Sequence, residues 1–284
     1  MDSKYIKSPM NYVGNKYRII DQIQKWFPEN IDTMVDLFCG GLDVTINTRA
    51  NVHYANDINY HVIDIYRTFQ KYPADYILGY IENTIDRYQL SKTNADGYLA
   101  LRKYYNDTKN PLDLFVLLCY SFNNNLRFNN KQEYNASFGR NRSSFNDVMR
   151  ENLINLLHRI PGIKFTSLGF QDFDFSVLGP GDFLYADPPY LISCGVYNDG
   201  KRGFTGWGNK EETDLYAILN DLNQNGVMFA LSNVIEHKGK RNEILEKWCR
   251  DNGYNMHDIS MNYDNCIHCP KNTGTTKEVL ITNY

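Results

Sequence analysis

The chain has 284 residues, 42% of them hydrophobic and 14% aromatic, enough for a full core in one large domain or in one domain with an insertion. A net charge of -3 and a sequence pI of about 6.1 give no global nucleic-acid signal, so any basic surface must be local. There is no long apolar run of membrane-spanning length and no apolar leader, and the six cysteines fit reduced thiols better than a disulfide framework, so a soluble cytoplasmic protein without a membrane partner is expected.

Residues 11–16 (Asn-Tyr-Val-Gly-Asn-Lys) come first. Asn15 is placed to cap a helix from about Lys16 to Phe27, with Ile19, Ile20, Ile23, Trp26 and Phe27 on one face. Tyr12 and Lys16 then either stand at the mouth of a pocket or simply flank a glycine turn. Residues 33–38 read as a buried strand, and Cys39-Gly40-Gly41 turns sharply into a helix, with glycines that let the backbone approach a ligand. This is neither a dinucleotide fingerprint nor a P-loop. A second strand, 52–57, ends in Asp57, about twenty residues after Asp36, where such an acid accepts hydrogen bonds from ribose hydroxyls. A cap on the following helix is the alternative for Asp57. Turn, acid and spacing point to a nucleoside ligand with no need for phosphates.

From 59 to 160 helical periodicity replaces the strand pattern, with helices expected over 63–88, 95–105, from Pro111 onward, and over 148–159. Between the last two lies a polar loop, 122–142, in which Arg127, Lys131, Arg140 and Arg142 stand against the single acid Glu133. Asn and Arg set among aromatics are the residues that read base edges and stack on bases, although a solvated hairpin has the same composition.

Strands resume near 162–168, followed by Gly169 to Phe173. Residues 182–186 read as a buried strand that runs into Asp187-Pro188-Pro189-Tyr190. Two prolines give a stiff, extended exit from the sheet. That path can set the Asp187 carboxylate beside a free Pro188 carbonyl, with the Tyr190 ring beyond. Two acceptors and a flat ring suit a planar, amino-bearing base. A glycine-rich stretch, 193–208, reads as a lid. A helix over 211–225 and a strand over 227–231 follow, with Ser232-Asn233-Val234 at that strand's carboxyl end; a helix over 240–251 and strands near Tyr254 and over 277–282 complete the sheet. Cys266, His268 and Cys269 lack a second Cys/His pair at ligand spacing, so a loop with free thiols is preferred to a metal site.

In this order the motifs resemble the Dam-type DNA adenine methyltransferases, and most closely the branch of T-even bacteriophages. The resemblance runs through residues 12–16, 35–42, 55–58, 88–93, 126–127, 138–139, 181–192 and 232–237, nearly the whole chain. It implies an α/β, Rossmann-like class I methyltransferase sheet, with 1–58 and 163–284 as the catalytic domain and 59–162 as an inserted helical target-recognition subdomain. It implies S-adenosylmethionine as cofactor and adenine in double-stranded DNA as methyl acceptor, with no metal. The cofactor set it implies is Tyr12, Lys16, Asp36, Phe38, Cys39, Gly40, Asp57, Ile58, Phe170, Asp172 and Asp187. The catalytic motif is Asp187, Pro188, Pro189 and Tyr190. The DNA set is Asn123, Asn125, Arg127, Asn129, Lys131, Ser137, Arg140 and Arg142. The family often targets GATC, whereas Asn123, Asn125 and Ser137 stand where the phage relatives carry Ser, Met and Pro. Methylation of an amino group on RNA or on a protein glutamine, and a non-catalytic DNA-binding regulator, are the rival readings.

Overall fold

The computed structural model describes residues 4–192, 206–259 and 276–284. The strands are β1 (Thr33–Asp36), β2 (Val52–Asn56), β3 (Lys164–Thr166), β4 (Phe183–Ala186), β5 (Met228–His237), β6 (Lys240–Arg241), β7 (Asn255–Ile259) and β8 (Thr276–Thr282). Among the described residues they form one sheet of order β3-β2-β1-β4-β5-β8-β7, with β6 folded back on β5 as a hairpin. The first five are parallel, and β8 runs antiparallel to both its neighbours, β5 and β7. β1 and β4 are buried along their whole length, as central strands are when both sheet faces are covered; β4 is apolar throughout apart from the Tyr185 hydroxyl, while β1 also buries Thr33 and Asp36. The mixed α/β, Rossmann-like class expected from the motifs is borne out.

Strand order places the site. From β1 the chain moves outward to β2 and β3, then returns to β4 on the other side of β1. The carboxyl ends of β1 and β4 therefore diverge into a crevice at the topological switch point, where open α/β sheets take their ligands. Asp36 pairs with Tyr185 across these strands, so the turn after β1 and the Asp187 corner after β4 open side by side.

The segment before β1 holds a four-residue helix, α1 (Ile20–Ile23), between two 3-10 turns, and α2 (Asp43–Asn47) follows the glycine turn. Ile19, Ile20, Ile23 and Val44 cover the sheet face formed by Met34, Phe183, Tyr185, Ala230 and Leu280. The single helix expected over 16–27 is thus broken up. Asn15 does not cap it, since Lys16 takes that position without a side-chain bond, and Trp26 lies outside the core, stacked on His257 at 3.7 Å. Helices α3 (Tyr60–Lys71), α4 (Ala74–Tyr88), α5 (Ala95–Thr108), α6 (Pro111–Tyr120) and α7 (Asp147–Arg159) lie between β2 and β3 and bury one large apolar cluster with Phe165. The helix expected over 63–88 is two helices, because Pro73 opens α4 and forces Tyr72 out of helical geometry. Pro111 sits at the first position of α6, as expected. Helices α8 (Asn209–Gln224) and α9 (Glu243–Asn252) cover the other sheet face through Leu215, Tyr216, Leu219 and Trp248 against Val35, Leu184, Phe229 and Leu231. β5 runs on to His237, so Ser232, Asn233 and Val234 lie inside the strand, paired to β8, rather than at its end. Most of the glycine-rich stretch and the Cys266–Cys269 loop lie outside the described residues.

Candidate active site

At the carboxyl ends of β1 and β4 a cleft of about 210 Å³ opens. Its floor is the turn Phe38–Gly41. Gly40 has a φ of +41°, and a Cβ there would come within 2.8 Å of the Tyr12 ring, so this position needs glycine both for its backbone and for the close approach of Tyr12. The turn is tied down from three sides. Cys39 N–H donates to the Asn56 carbonyl at 2.8 Å, Gly40 N–H donates to Asp57 Oδ2 at 3.0 Å, and the Tyr66 hydroxyl donates to the Gly40 carbonyl at 2.8 Å.

Asp57 ends the β2 side of the cleft. Its second oxygen accepts from Asn59 N–H at 2.8 Å, and Asn59 rather than Asp57 caps α3, accepting from His61 N–H. A carboxylate oxygen can accept more than one hydrogen bond, so Asp57 has the chemistry to take a ligand hydroxyl. Asp36 is buried at the end of β1. Its Oδ2 accepts from the Thr45 hydroxyl at 2.6 Å, while Oδ1 has no hydrogen-bond partner among the described residues. Burial above all, helped by the charges of Asp187 and Asp57, raises Asp36 to about 7. Asp43, which accepts from Ser8 N–H, is likewise raised to about 7 by burial.

At the end of β4 the Asp187 carboxylate is held on both oxygens. Lys16 Nζ pairs with Oδ2 at 2.7 Å and also donates to the Gly14 carbonyl at 3.0 Å. The Tyr190 hydroxyl donates to Oδ1 at 3.0 Å, and its ring lies over the Lys16 ammonium, 5.1 Å from ring centre to nitrogen. Burial outweighs both partners and keeps the Asp187 carboxyl above its ordinary range. The Asp187 carboxylate is thus already engaged on both oxygens, because the lysine of the first motif reaches the end of the fourth strand. Glu278 on β8 faces the same knot and is raised by burial and by Asp187, against the opposing effect of Lys16.

The charged residues lining the cleft, among those described, are Lys16 against Asp36, Asp43, Asp57, Asp187 and Glu211. Five acids against one lysine disfavour a phosphate-bearing ligand and favour a cation. Phe38, Phe170 and Trp207 supply an aromatic wall, with ring centres 5.4–5.8 Å apart. Of the cofactor set expected from sequence, Tyr12, Lys16, Asp36, Phe38, Cys39, Gly40, Asp57, Ile58, Phe170 and Asp187 line this cleft together. Asp172 does not: it is exposed, and Gln171 takes its place in the lining. Asp43, Asn56, Tyr185 and Glu211 line the cleft without having been singled out; only Asp43, just beyond the glycine turn, carried a local signal.

The 122–142 loop is a narrow hairpin, bridged at Ser121–Phe138 and Phe128–Tyr134. Helix α5 clamps one of its arms: Tyr98 and Arg102 donate to the Ala136 carbonyl, Asn106 exchanges two bonds with the Tyr134 backbone, and Lys109 donates to the Gln132 carbonyl. Asn123, Asn125, Arg127, Lys131, Ser137, Arg140 and Arg142 are exposed on this hairpin. Asn129 is engaged internally: its side chain closes the turn through Lys131 N–H, Glu133 N–H and the Glu133 carboxylate. Two contacts join the hairpin to segments that flank the cleft. Asn11 donates to the Asn123 carbonyl at 2.9 Å, and the His61 ring stacks on Phe128 at 3.7 Å with 1° between planes. Burial, with the nearby Lys109 charge, pushes His61 down to about 3, so the stacked imidazole is neutral.

Among the described residues no cluster of acids, histidines and cysteines suited to a metal ion occurs, and no helix is long and apolar enough to cross a membrane. A family model described as D12 class N6 adenine-specific DNA methyltransferase matches residues 12–265. The modification methylase StsI of Streptococcus sanguinis is 49% identical over 283 residues, and the type II methyltransferase M.FokI of Planomicrobium okeanokoites is 48% identical over 286. Each alignment takes in 99% of this chain but only 43% of the relative, so the chain spans less than half the length of either. A DNA adenine methylase of Haemophilus influenzae is 27% identical over 207 residues, covering 71% of this chain and 68% of its own.

Proposed function

Since the chain belongs to the D12 class of N6 adenine-specific DNA methyltransferases, we propose that it methylates the exocyclic amino group of adenine in double-stranded DNA, using S-adenosylmethionine. The observation that carries this reading is the meeting, in one acid-rich cleft, of the glycine turn after β1, the Asp57 carboxylate after β2 and the Asp187-Pro188-Pro189-Tyr190 corner after β4. The cleft fits a cofactor that carries a sulfonium and an ammonium but no phosphate. The buried Asp36 oxygen without a partner suits the ammonium, the Asp57 carboxylate suits ribose hydroxyls, and a Cβ at Gly40 would fill the cradle. S-adenosylmethionine supplies the electrophile, a methyl group on sulfonium, which the adenine nitrogen takes up with loss of one proton.

The chain's own part is positioning. Adenine in a duplex hides its amino group and must be flipped out. The flipped base displaces the Tyr190 hydroxyl from Asp187 and stacks on the Tyr190 ring, while Asp187 and the Pro188 carbonyl accept its amino hydrogens. Two acceptors favour a pyramidal nitrogen whose lone pair points at the methyl group. Lys16 keeps Asp187 oriented while the base binds. Holding the reactants in line contributes roughly 7 kcal/mol or more to lowering the barrier. The nitrogen sheds its proton only after attack, so Asp187 need not be a strong base.

Residues 59–162 serve as the target-recognition subdomain of a catalytic domain formed by 1–58 and 163–284. The hairpin contacts DNA through Asn123, Asn125, Arg127, Lys131, Ser137, Arg140 and Arg142. Within the family, identities of 49% and 48% to StsI and M.FokI support a place among bacterial modification methylases rather than in the T-even phage branch. The protein then acts in the cytoplasm as the modification partner of a restriction enzyme. Scoring transfer from labelled cofactor onto DNA, RNA and protein, and then sequencing the modified bases, tests the reading. Label on RNA or protein alone would overturn it.

A further inference from the structure

Glu212 is fully buried in the first turn of α8, yet the described residues offer it no lysine or arginine. Four neutral donors converge on it instead. Oε1 accepts from the Tyr216 hydroxyl at 2.6 Å, Asn233 Nδ2 at 2.9 Å and Asn242 Nδ2 at 3.3 Å. Oε2 accepts from the Trp207 indole N–H at 2.5 Å. Three of these donors come from structure that is already rigid: Tyr216 lies one helical turn along α8, Asn233 in mid-β5, and Asn242 caps α9. Trp207 is the exception. It precedes α8 and faces the cleft, where its ring meets Phe38 at 5.8 Å, edge-on, and Phe170 at 5.4 Å.

A buried carboxylate is an expensive way to hold an aromatic ring, because packing alone would suffice if any orientation served. What the carboxylate adds is direction. A buried indole N–H needs an acceptor, and an acceptor held on three rigid points leaves the ring one orientation. The same network accounts for Ser232-Asn233-Val234, which looked like a ligand-facing strand end: Asn233 turns inward to Glu212 and does not line the cleft.

We propose that Glu212 is a positioning residue for cofactor binding: through the Trp207 N–H it fixes the indole as the third ring of the wall against which the cofactor packs. This rests on the reading of the cleft as the cofactor site. Substitution by Gln isolates the effect. Three donors already compete for Oε1 and will keep the amide oxygen, which leaves the amide NH2 facing the Trp207 N–H, donor against donor.

The test is titration of the purified chain with S-adenosylhomocysteine, followed by calorimetry and by tryptophan emission, with Trp207→Phe identifying that residue's share of the signal. Glu212→Gln is expected to raise the Kd by about tenfold and to shift the Trp207 emission to longer wavelength. Trp207→Phe keeps a ring but removes the N–H, and a rise of at least about threefold is expected. Tyr216→Phe removes a donor to Glu212 without touching Trp207; it should lower the melting temperature while leaving the Kd within about twofold. Wild-type affinity in Glu212→Gln overturns the proposal, as does a Tyr216→Phe variant that loses as much affinity as Glu212→Gln. Should Glu212→Gln fail to fold, wild-type affinity in Trp207→Phe has the same force. Failure of the wild-type chain to bind S-adenosylhomocysteine at all would instead sink the cofactor reading itself.

Discussion

Replacing Asp36 by Asn separates what this carboxylate costs the fold from what it does for a ligand. In the unfolded chain it ionises near 3.8, and in the folded chain near 7, chiefly because it is buried. Between those values the folded state holds a proton that the unfolded state has lost, so stability falls as pH rises from about 4 to 7 and stays reduced above that. The difference from 3.8 to about 7 amounts to about 4 kcal/mol at pH 8. The Asn oxygen can still accept from the Thr45 hydroxyl, but its NH2 group replaces an oxygen that has no partner, at a cost of about 1–3 kcal/mol. The net gain at pH 8 is then about 1–3 kcal/mol, or roughly 2–5 °C in melting temperature for a domain of this size. Near pH 4.5 only about 1 kcal/mol of the carboxylate penalty remains, no more than the cost of the unpaired amide, and the variant should melt at or below the wild type. Thermal unfolding of the ligand-free proteins from pH 4.5 to 8.5 measures this directly. Saturating S-adenosylhomocysteine should reverse the order at pH 8, because the wild type alone presents a charge to the ligand's ammonium. Parallel melting profiles across that pH range would refute the argument, since they would mean that Asp36 is solvated and titrates normally.

Asp187→Asn is expected to cut methyl transfer by at least about 10²–10³ while cofactor binding and the far-ultraviolet spectrum persist; near-normal turnover in a labelled-methyl assay would remove Asp187 from the mechanism. Tyr190→Phe frees Asp187 Oδ1 but keeps the ring, so turnover should stay within a few-fold of wild type, whereas Tyr190→Ala should lose about tenfold or more through the missing stack. Equal losses in the two would show that the hydroxyl is what counts. Gly40→Ala forces a Cβ to within 2.8 Å of the Tyr12 ring at a φ of +41°. A stability loss of about 1–2 kcal/mol with weakened cofactor binding is expected, read by denaturant melts and calorimetry. Arg127→Ala should weaken DNA binding, and the salt dependence of affinity tells how: a slope reduced by about 1 marks a phosphate contact, an unchanged slope with relaxed site preference a base contact. Unaltered affinity and preference would exclude the hairpin from recognition.

Several parts of this molecule were legible from local pattern. Buried strands flanked by Gly and Pro declared β1 and β4, and the residues at their ends, Asp36 to Gly41 and Asp187 to Tyr190, could be named because each follows its strand directly. Helices α5 to α7 were read within a few residues, helped by Pro111. Reading failed where a local signal was open to two meanings. Apolar spacing carried on across Tyr72 and Pro73, so two helices looked like one. Residues 16–27 have a helical apolar face, yet Lys16 is drawn to Asp187 and Gly14, and the segment takes short turns that seat Ile19, Ile20 and Ile23 on the sheet. Polar Ser232 and Asn233 looked like the end of a strand because their partners, Tyr185 and Glu212, are distant in sequence.

The amino-acid sequence by itself determined which strands are buried, where the backbone must turn on glycine, and which short motifs carry chemistry, because burial, φ and chain direction act over a few neighbouring residues. Only the tertiary structure decided that Lys16 and Tyr190 close on Asp187, that Asp36 keeps an oxygen without a partner among the described residues, and that α5 clamps the hairpin. Those outcomes come from contacts between segments far apart in the chain, where the pairing of β1 with β4 sets distance, burial and charge together and no local pattern records the result.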